Sequence, residues 1–243
     1  RFKKTICFCL ILLTIFLTYL WFHDDKLNYV ALGDSLAAGQ NPYGELGYGY
    51  TDYIADYLKG EDRLKSYVSQ YAISGYTAEN VYQDLQVNKR IIVDGKEYNI
   101  RALLREADLV TVSMGANDFL KGLSITNLQL DNTTLYQEKI DQVLKMVDLA
   151  LREIRKYAKE EVIVLGYYNP FPALFSSYED SLDQIFHYAD EKYQQLCEKH
   201  QVSYISFYNL FKENPDFLPN PFDIHPNNSG YRAMADYVIE YYL

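Results

Sequence analysis

Four short stretches of this chain carry side chains suited to attacking a carbonyl carbon. Gly33-Asp34-Ser35-Leu36 follows an apolar run and puts a hydroxyl where extended chain turns. A serine there is open to substrate, and the N–H groups of a following helical turn would favour a developing negative charge. Capping of that turn by Asp34 or Ser35 is the plainer reading of the same residues. Ile73-Ser74-Gly75-Tyr76 offers a glycine that lets backbone approach a ligand. Gly115-Ala116-Asn117-Asp118 offers an amide that either donates to an oxyanion or ties down its own loop. Asp223-Ile224-His225-Pro226 offers an imidazole as general base. Pro226 biases His225 to extended geometry, in which Asp223, two residues earlier, shares its side of the chain. The other histidines suit this role less well. His23 follows an apolar run, and His187 and His200 lie in a charged helical stretch and read as solvent-facing.

The intervening sequence predicts the frame that would hold these groups. Tyr29 to Leu32, Tyr67 to Ile73, Leu109 to Met114, Val162 to Leu165 and Ser203 to Ile205 are rich in Val, Ile, Leu and Tyr and read as strands. Helical pattern follows each. The clearest helix is Leu135 to Lys159, where Ile140, Val143, Leu144, Val147, Leu151 and Ile154 recur at helical spacing. Tyr50 to Leu58, Ala78 to Leu85, Leu182 to His200 and Tyr231 to Tyr242 supply the others. Alternation of this kind predicts an α/β fold with a five-stranded parallel sheet covered on both faces. Ligands of such sheets bind beyond the carboxyl ends of the strands, where all four stretches fall. Arg90 to Val93 and Lys96 to Ile100, separated by Asp94-Gly95, read as an inserted hairpin and a candidate lid.

Composition narrows the function. With 243 residues, 49% hydrophobic, the chain can bury a large core and is not disordered. A net charge of −10 without a basic run beyond the first four residues excludes a nucleic-acid partner. Cys7, Cys9 and Cys197 make neither a disulfide framework nor a zinc site, and there is no His-Glu-x-x-His pair or glycine-rich phosphate loop. No metal is expected. Ile6 to Phe22 is an uncharged run of 17 residues between Arg1, Lys3 and Lys4 on one side and Asp24 and Asp25 on the other. As a helix it would span roughly 26 Å, close to the hydrocarbon thickness of a bilayer. Its exit, Tyr19-Leu20-Trp21-Phe22-His23, lacks the small residues of a cleavage site. Residues 1–26 are therefore expected to form an uncleaved anchor, with residues 27–243 as one domain outside the cell membrane.

In order and wording the four stretches resemble the marker blocks of the SGNH, or GDSL, serine hydrolases. Ser35, Gly75, Asn117 and His225 match those blocks, and the likeness runs from about Leu27 to the end, strengthened by His225-Pro226-Asn227-Asn228-Ser229-Gly230-Tyr231. The chain is also similar to the membrane-anchored Gram-positive lipase/acylhydrolase subgroup. The resemblance implies a three-layer, flavodoxin-like sandwich and ester hydrolysis through an acyl-enzyme without a cofactor. It implies Ser35 as nucleophile, His225 as base, and Ser35, Gly75 and Asn117 as oxyanion donors. One position departs from the pattern. The family's acid lies three residues before its histidine, where this chain has Phe222, and the nearest aspartate is Asp223. Either Asp223 or a main-chain carbonyl then orients His225. The expected activity is a carboxylic-ester esterase or lipase, acting as a monomer on a lipid or acylated surface substrate. O-deacetylation of a cell-wall glycan and a non-catalytic surface-binding module are the alternatives. The many tyrosines, Tyr43, Tyr48 and Tyr50 among them, read mainly as packing, with ligand stacking as the other use.

Overall fold

The computed structural model describes residues 26–93, 95–121, 128–172 and 174–243. The expected anchor lies outside these residues, apart from Lys26. Among the described residues no helix is long and apolar enough to cross a membrane.

Five parallel strands form the main sheet: β1 (Leu27–Gly33), β2 (Leu64–Ala72), β5 (Leu109–Ser113), β6 (Glu161–Leu165) and β7 (Ser203–Ile205). Their spatial order is β2-β1-β5-β6-β7. The chain thus winds one way from β1 to β2, then returns past β1 to β5 and onward, and the switch falls between β1 and β5. Register pairs Gly33 with Ala72 on one side and with Ser113 on the other, so three strand ends lie level. Strand alternation sends Val30, Leu32, Val110, Val112, Val162 and Val164 to one face and Tyr29, Ala31, Leu109, Ile163 and Leu165 to the other.

Eight α-helices accompany the strands among the described residues. The first face is covered by α2 (Ala78–Gln86), α3 (Ile100–Glu106), α5 (Thr133–Tyr157) and α6 (Glu179–His200), through Leu85, Leu104, Val147, Ile154 and Cys197. The second is covered by α1 (Tyr50–Gly60) and α8 (Asn228–Tyr242), through Ile54, Leu58, Met234 and Val238. The short helices are α4 (Ala116–Leu120) and α7 (Tyr208–Glu213). Sequence periodicity does not predict α3, α4 or α7, which have at most seven residues and span barely two turns. Three of the long helices, α2, α5 and α8, begin at a capping side chain. The Thr77 hydroxyl accepts the Asn80 N–H at 3.2 Å, and Asn132 and Asn227 side chains accept from Leu135 and Gly230 at 3.3 and 2.9 Å.

The expected hairpin is present as β3 (Arg90–Val93) and β4 (Lys96–Asn99). Ile91 and Tyr98 pack on the helical layer of the first face. None of its described residues lines the cavity described below, which removes the reason for reading it as a lid. His200 also departs from expectation. Its ring is largely covered and lies 2.6 Å from Asp148, whose carboxylate Lys199 also contacts at 2.7 Å. Burial opposes ionisation of Asp148, but the bonds from Lys199 and His200 outweigh it and hold its pKa below the usual aspartate value.

Candidate active site

The level ends of β1, β2 and β5 bring three of the four stretches together. At the end of β1, Gly33 has φ +124°, and a Cβ there would lie 2.0 Å from the Ser113 carbonyl oxygen. Only glycine admits both the backbone geometry and the neighbouring strand. The next N–H, from Asp34, donates to that same Ser113 carbonyl at 3.1 Å. The chain then turns. Ala38 N–H reaches the Asp34 carbonyl at 3.0 Å, and no α-helix forms between Ser35 and Gly49.

Asp34 is buried directly beneath Ser35. Its Oδ1 accepts from Leu36 N–H at 3.1 Å and from the Ser113 hydroxyl at 2.7 Å, while Oδ2 accepts from the Tyr167 hydroxyl at 2.7 Å. Burial raises its pKa above the usual aspartate value, although these three donors and the nearby imidazole favour the anion. Asp34 thus shapes the turn that presents Ser35.

The β2 end is fastened to the same place. Ile73 N–H donates to the Gly33 carbonyl at 2.9 Å, and Gly75 follows with φ +81°. From β5, Asn117 donates its Nδ2 to the Tyr76 carbonyl at 2.9 Å. The adjacent Asp118 accepts the Ala78 N–H at 2.8 Å at the start of α2. Consecutive residues after β5 therefore clamp the segment that leads from Gly75 into α2. Asn117 thus ties down the loop between β2 and α2, not its own loop, and still lines the same cavity as Ser35. Gly75 opens the clamped segment and is not part of the cavity wall.

His225 arrives from the loop before α8. Its Nε2 lies 2.8 Å from Ser35 Oγ, across 190 positions of sequence, and both side chains are buried. Its Nδ1 lies 2.7 Å from Asp223 Oδ1, which also accepts the His225 backbone N–H at 2.9 Å. The aspartate two residues before the histidine therefore reaches the ring by folding back in an Asx turn. Phe222, at the family's usual acid position, is 82% exposed. A hydroxyl, an imidazole and a carboxylate are thus aligned by hydrogen bonds, an arrangement able to withdraw the hydroxyl proton as oxygen attacks. Of the two groups expected as candidates to orient the ring, Asp223 stands within hydrogen-bond distance of it.

Beside Ser35 opens a cavity of about 390 Å³. Ser35, Leu36 and Asn117 line it together with the apolar side chains of Phe119, Leu130, Tyr136, Ile140, Leu182, Ile185 and Phe186. Several of these form a separate apolar cluster, with Leu130, Tyr136, Ile140, Leu182 and Ile185 buried. Sequence reasoning did not identify this cavity, nor Ser113, Tyr167 and Gln40 around the turn. Ser113 is the residue before Met114-Gly115, but nothing in its local pattern marks it. Gln40 lies 185 positions from His225, its ring neighbour, so no local signal exists.

A doubly wound parallel sheet with a buried hydroxyl–imidazole pair at its switch point defines the class as an α/β ester hydrolase. The chain belongs to the GDSL-like lipase/acylhydrolase family, whose model matches residues 31–233. It is 26% identical over 221 residues to the uncharacterized protein YpmR of Bacillus subtilis (strain 168), covering 89% of this chain and 81% of that protein. Among solved structures it resembles the lipase Lip_vut3 from a goat rumen metagenome, with a TM-score of 0.67 and 23% identity, covering 88% of this chain and 97% of that one. It also resembles the extracellular lipase of Streptomyces rimosus, with a TM-score of 0.63 and 16% identity over 87% and 98% of the two chains. For the acetylxylan esterase Axe2 of Geobacillus stearothermophilus the TM-score is 0.59 and the identity 18%, over 88% and 94%. At these identities the likeness is one of fold.

Proposed function

We propose that this protein hydrolyses carboxylic esters of acyl chains, from a lipid or an acylated cell-surface molecule, through an acyl-enzyme on Ser35. His225 Nε2 takes the Ser35 proton as Oγ attacks the carbonyl carbon, while Asp223 holds the Nδ1 proton and stabilises the imidazolium. The backbone N–H groups of Ser35 and Gly75 and the Asn117 amide receive the oxyanion. His225 then gives its proton to the leaving alkoxide. Water repeats the sequence on the acyl-enzyme and releases the acid.

The observation that carries the substrate reading is the apolar cavity opening at Ser35. At about 30 Å³ for each water-sized group, it accepts roughly a dozen methylene-sized groups, whereas an acetyl group would leave most of it empty. Exposed apolar side chains also sit on the loops that flank Ser35 and His225 in sequence. Tyr43 and Leu46 are exposed on the loop after Ser35, and Phe222 on the loop before His225, and Asn220 Nδ2 joins these loops at the Pro42 carbonyl at 2.8 Å. The fold likeness to Axe2 keeps O-deacetylation of a glycan as the second reading.

Hydrolysis of p-nitrophenyl esters from acetyl to dodecanoyl, beside an acetylated xylo-oligosaccharide, separates the two. Each methylene moved into the cavity is worth about 0.8 kcal/mol, so kcat/KM should rise about fourfold per carbon until the cavity fills. Highest turnover on acetyl esters and on the oligosaccharide would overturn the long-chain reading. Labelling by a fluorophosphonate, lost in Ser35→Ala, tests the nucleophile and excludes a purely binding module.

The charge pattern around residues 6–22 supports attachment to the outer face of a membrane. Lys26 leads into β1 at the sheet edge opposite Ser35, so such an anchor would leave the site directed away from the bilayer by about the length of the strand, ~20 Å. Membrane fractionation and protease accessibility of the full chain in cells check this location. Recovery in the soluble cytoplasmic fraction would refute it.

A further inference from the structure

We infer that Gln40 is a positioning residue that couples His225 to the turn carrying Gly75. The inference rests on reading Ser35 and His225 as the reacting pair. The Gln40 backbone is held from two sides. Its N–H donates to the Ser35 carbonyl at 3.0 Å, and its carbonyl accepts the Tyr231 hydroxyl of α8 at 2.6 Å. Its side-chain amide then spans a gap between two other parts of the site. One end meets the Ser74 hydroxyl, next to Gly75, and the other lies 3.4 Å from His225 Nδ1.

The chemistry of the ring explains why a second group is useful there. Nε2 must be free to accept the Ser35 proton, so Nδ1 carries the other proton and can only donate. Its partner, Asp223 Oδ1, is shared, because the same oxygen also accepts the His225 backbone N–H. This sharing follows from an acid only two residues ahead of its histidine. In the structure Gln40 Oε1 accepts from the Ser74 hydroxyl and Gln40 Nε2 faces Nδ1, which sets donor against donor once Nδ1 is protonated. A half-turn of the amide about its last bond keeps the same atomic positions, puts the oxygen opposite Nδ1–H as a second acceptor and lets the NH₂ donate to Ser74 Oγ. Movement of the ring and movement of the Gly75 turn are thereby linked through one side chain. The titratable groups around the imidazole are Asp223 and, beneath Ser35, Asp34, while the Tyr168 and Tyr231 hydroxyls are engaged by the Ile224 and Gln40 carbonyls.

The test uses Gln40→Ala, Gln40→Glu and Ser74→Ala, with Ser35→Ala as control, on the p-nitrophenyl ester that the parent hydrolyses best. Gln40→Ala should lower kcat about tenfold with KM within about twofold, because an aligned base matters only as charge moves. Gln40→Glu places a carboxylate by Nδ1, favours the imidazolium, and should move the acid limb of kcat/KM to higher pH by about half a unit or more. Ser74→Ala should show a smaller fall in kcat in the same direction. A merely structural Gln40 would leave the pH limb unmoved. An unmoved limb in Gln40→Glu, or kcat within twofold of the parent in a folded Gln40→Ala, overturns the inference while the Ser35 control stays dead. Should Gln40→Ala fail to fold, the Glu variant decides by its pH limb. Should Ser35→Ala keep its activity, the reading of the site falls, and this inference with it.

Discussion

Asp34 shows how a single buried carboxyl can shape a site without touching substrate. Three donors hold it under Ser35, yet burial still raises its pKa. The folded state then keeps a proton that the unfolded chain releases near pH 3.9, so Asp34 costs stability as pH rises from there through its folded value. Asp34→Asn removes this titration. Thermal unfolding followed from pH 4 to 7 should fall less steeply with pH in Asp34→Asn than in the parent, whatever the absolute loss from a missing acceptor. Parallel slopes would show that the carboxyl is ionised at the same pH in both states. In the proposed mechanism Asn117 acts at the same scale but on the reaction. Removing one oxyanion donor costs about 3 kcal/mol, or a hundredfold or more in kcat. In Asn117→Ala the lost bond to Tyr76 costs only about 1 kcal/mol of stability. Stopped assays and melting curves on one preparation separate the two effects, and an unchanged kcat would remove Asn117 from the oxyanion site.

Between elements, close approach is what places these side chains. Gly115, between β5 and α4, has φ +113°, and a Cβ there would lie 2.0 Å from the Tyr193 hydroxyl, which donates to the Met114 carbonyl at 2.9 Å. Gly115→Ala should therefore destabilise the protein by about 2 kcal/mol or more, combining backbone strain and overpacking. Part of that loss should return in Gly115→Ala with Tyr193→Phe, since the clashing atom is the hydroxyl itself. Urea melts of the four-member cycle measure this coupling, and strict additivity would refute the contact. On the opposite face, α1 buries Tyr50, whose hydroxyl is the one buried side-chain polar atom without a partner among the described residues. Ser113 gives its proton to Asp34, and Thr111 shares its own with Tyr29. Tyr50→Phe should raise stability by up to about 1 kcal/mol, because an unpaired buried hydroxyl costs free energy that the ring alone does not. A lower melting temperature in that variant would reveal a partner for the hydroxyl.

Across the whole molecule, the apolar cluster between α5 and α6 continues the site outward from the sheet. Ile140→Trp would fill part of the cavity, and kcat/KM for a decanoyl ester should fall by about tenfold more than for a butanoyl ester, since the longer chain loses methylene burial. Equal losses for both esters would place the acyl chain elsewhere. Much of the architecture was legible before any coordinates. Valine-rich runs identify the parallel strands because both faces are buried, and the spacing of Ile140, Val147 and Ile154 identifies α5 because one stripe meets the sheet. Ser35 and Asn117 stand out because strand ends are where a doubly wound sheet meets its ligands, and His225 because an imidazole with an aspartate two residues ahead suits a general base. Asp223 could be nominated but not assigned, since its bond to the ring depends on a backbone turn and not on spacing. Gln40, Tyr167, the clamp formed by Asn117 and Asp118, and the cavity lay beyond sequence reasoning. Hydrophobic period and turn chemistry are local properties that each segment carries with it, whereas a hydrogen bond across 185 residues, or a void between two helices, exists only once packing has chosen which surfaces meet.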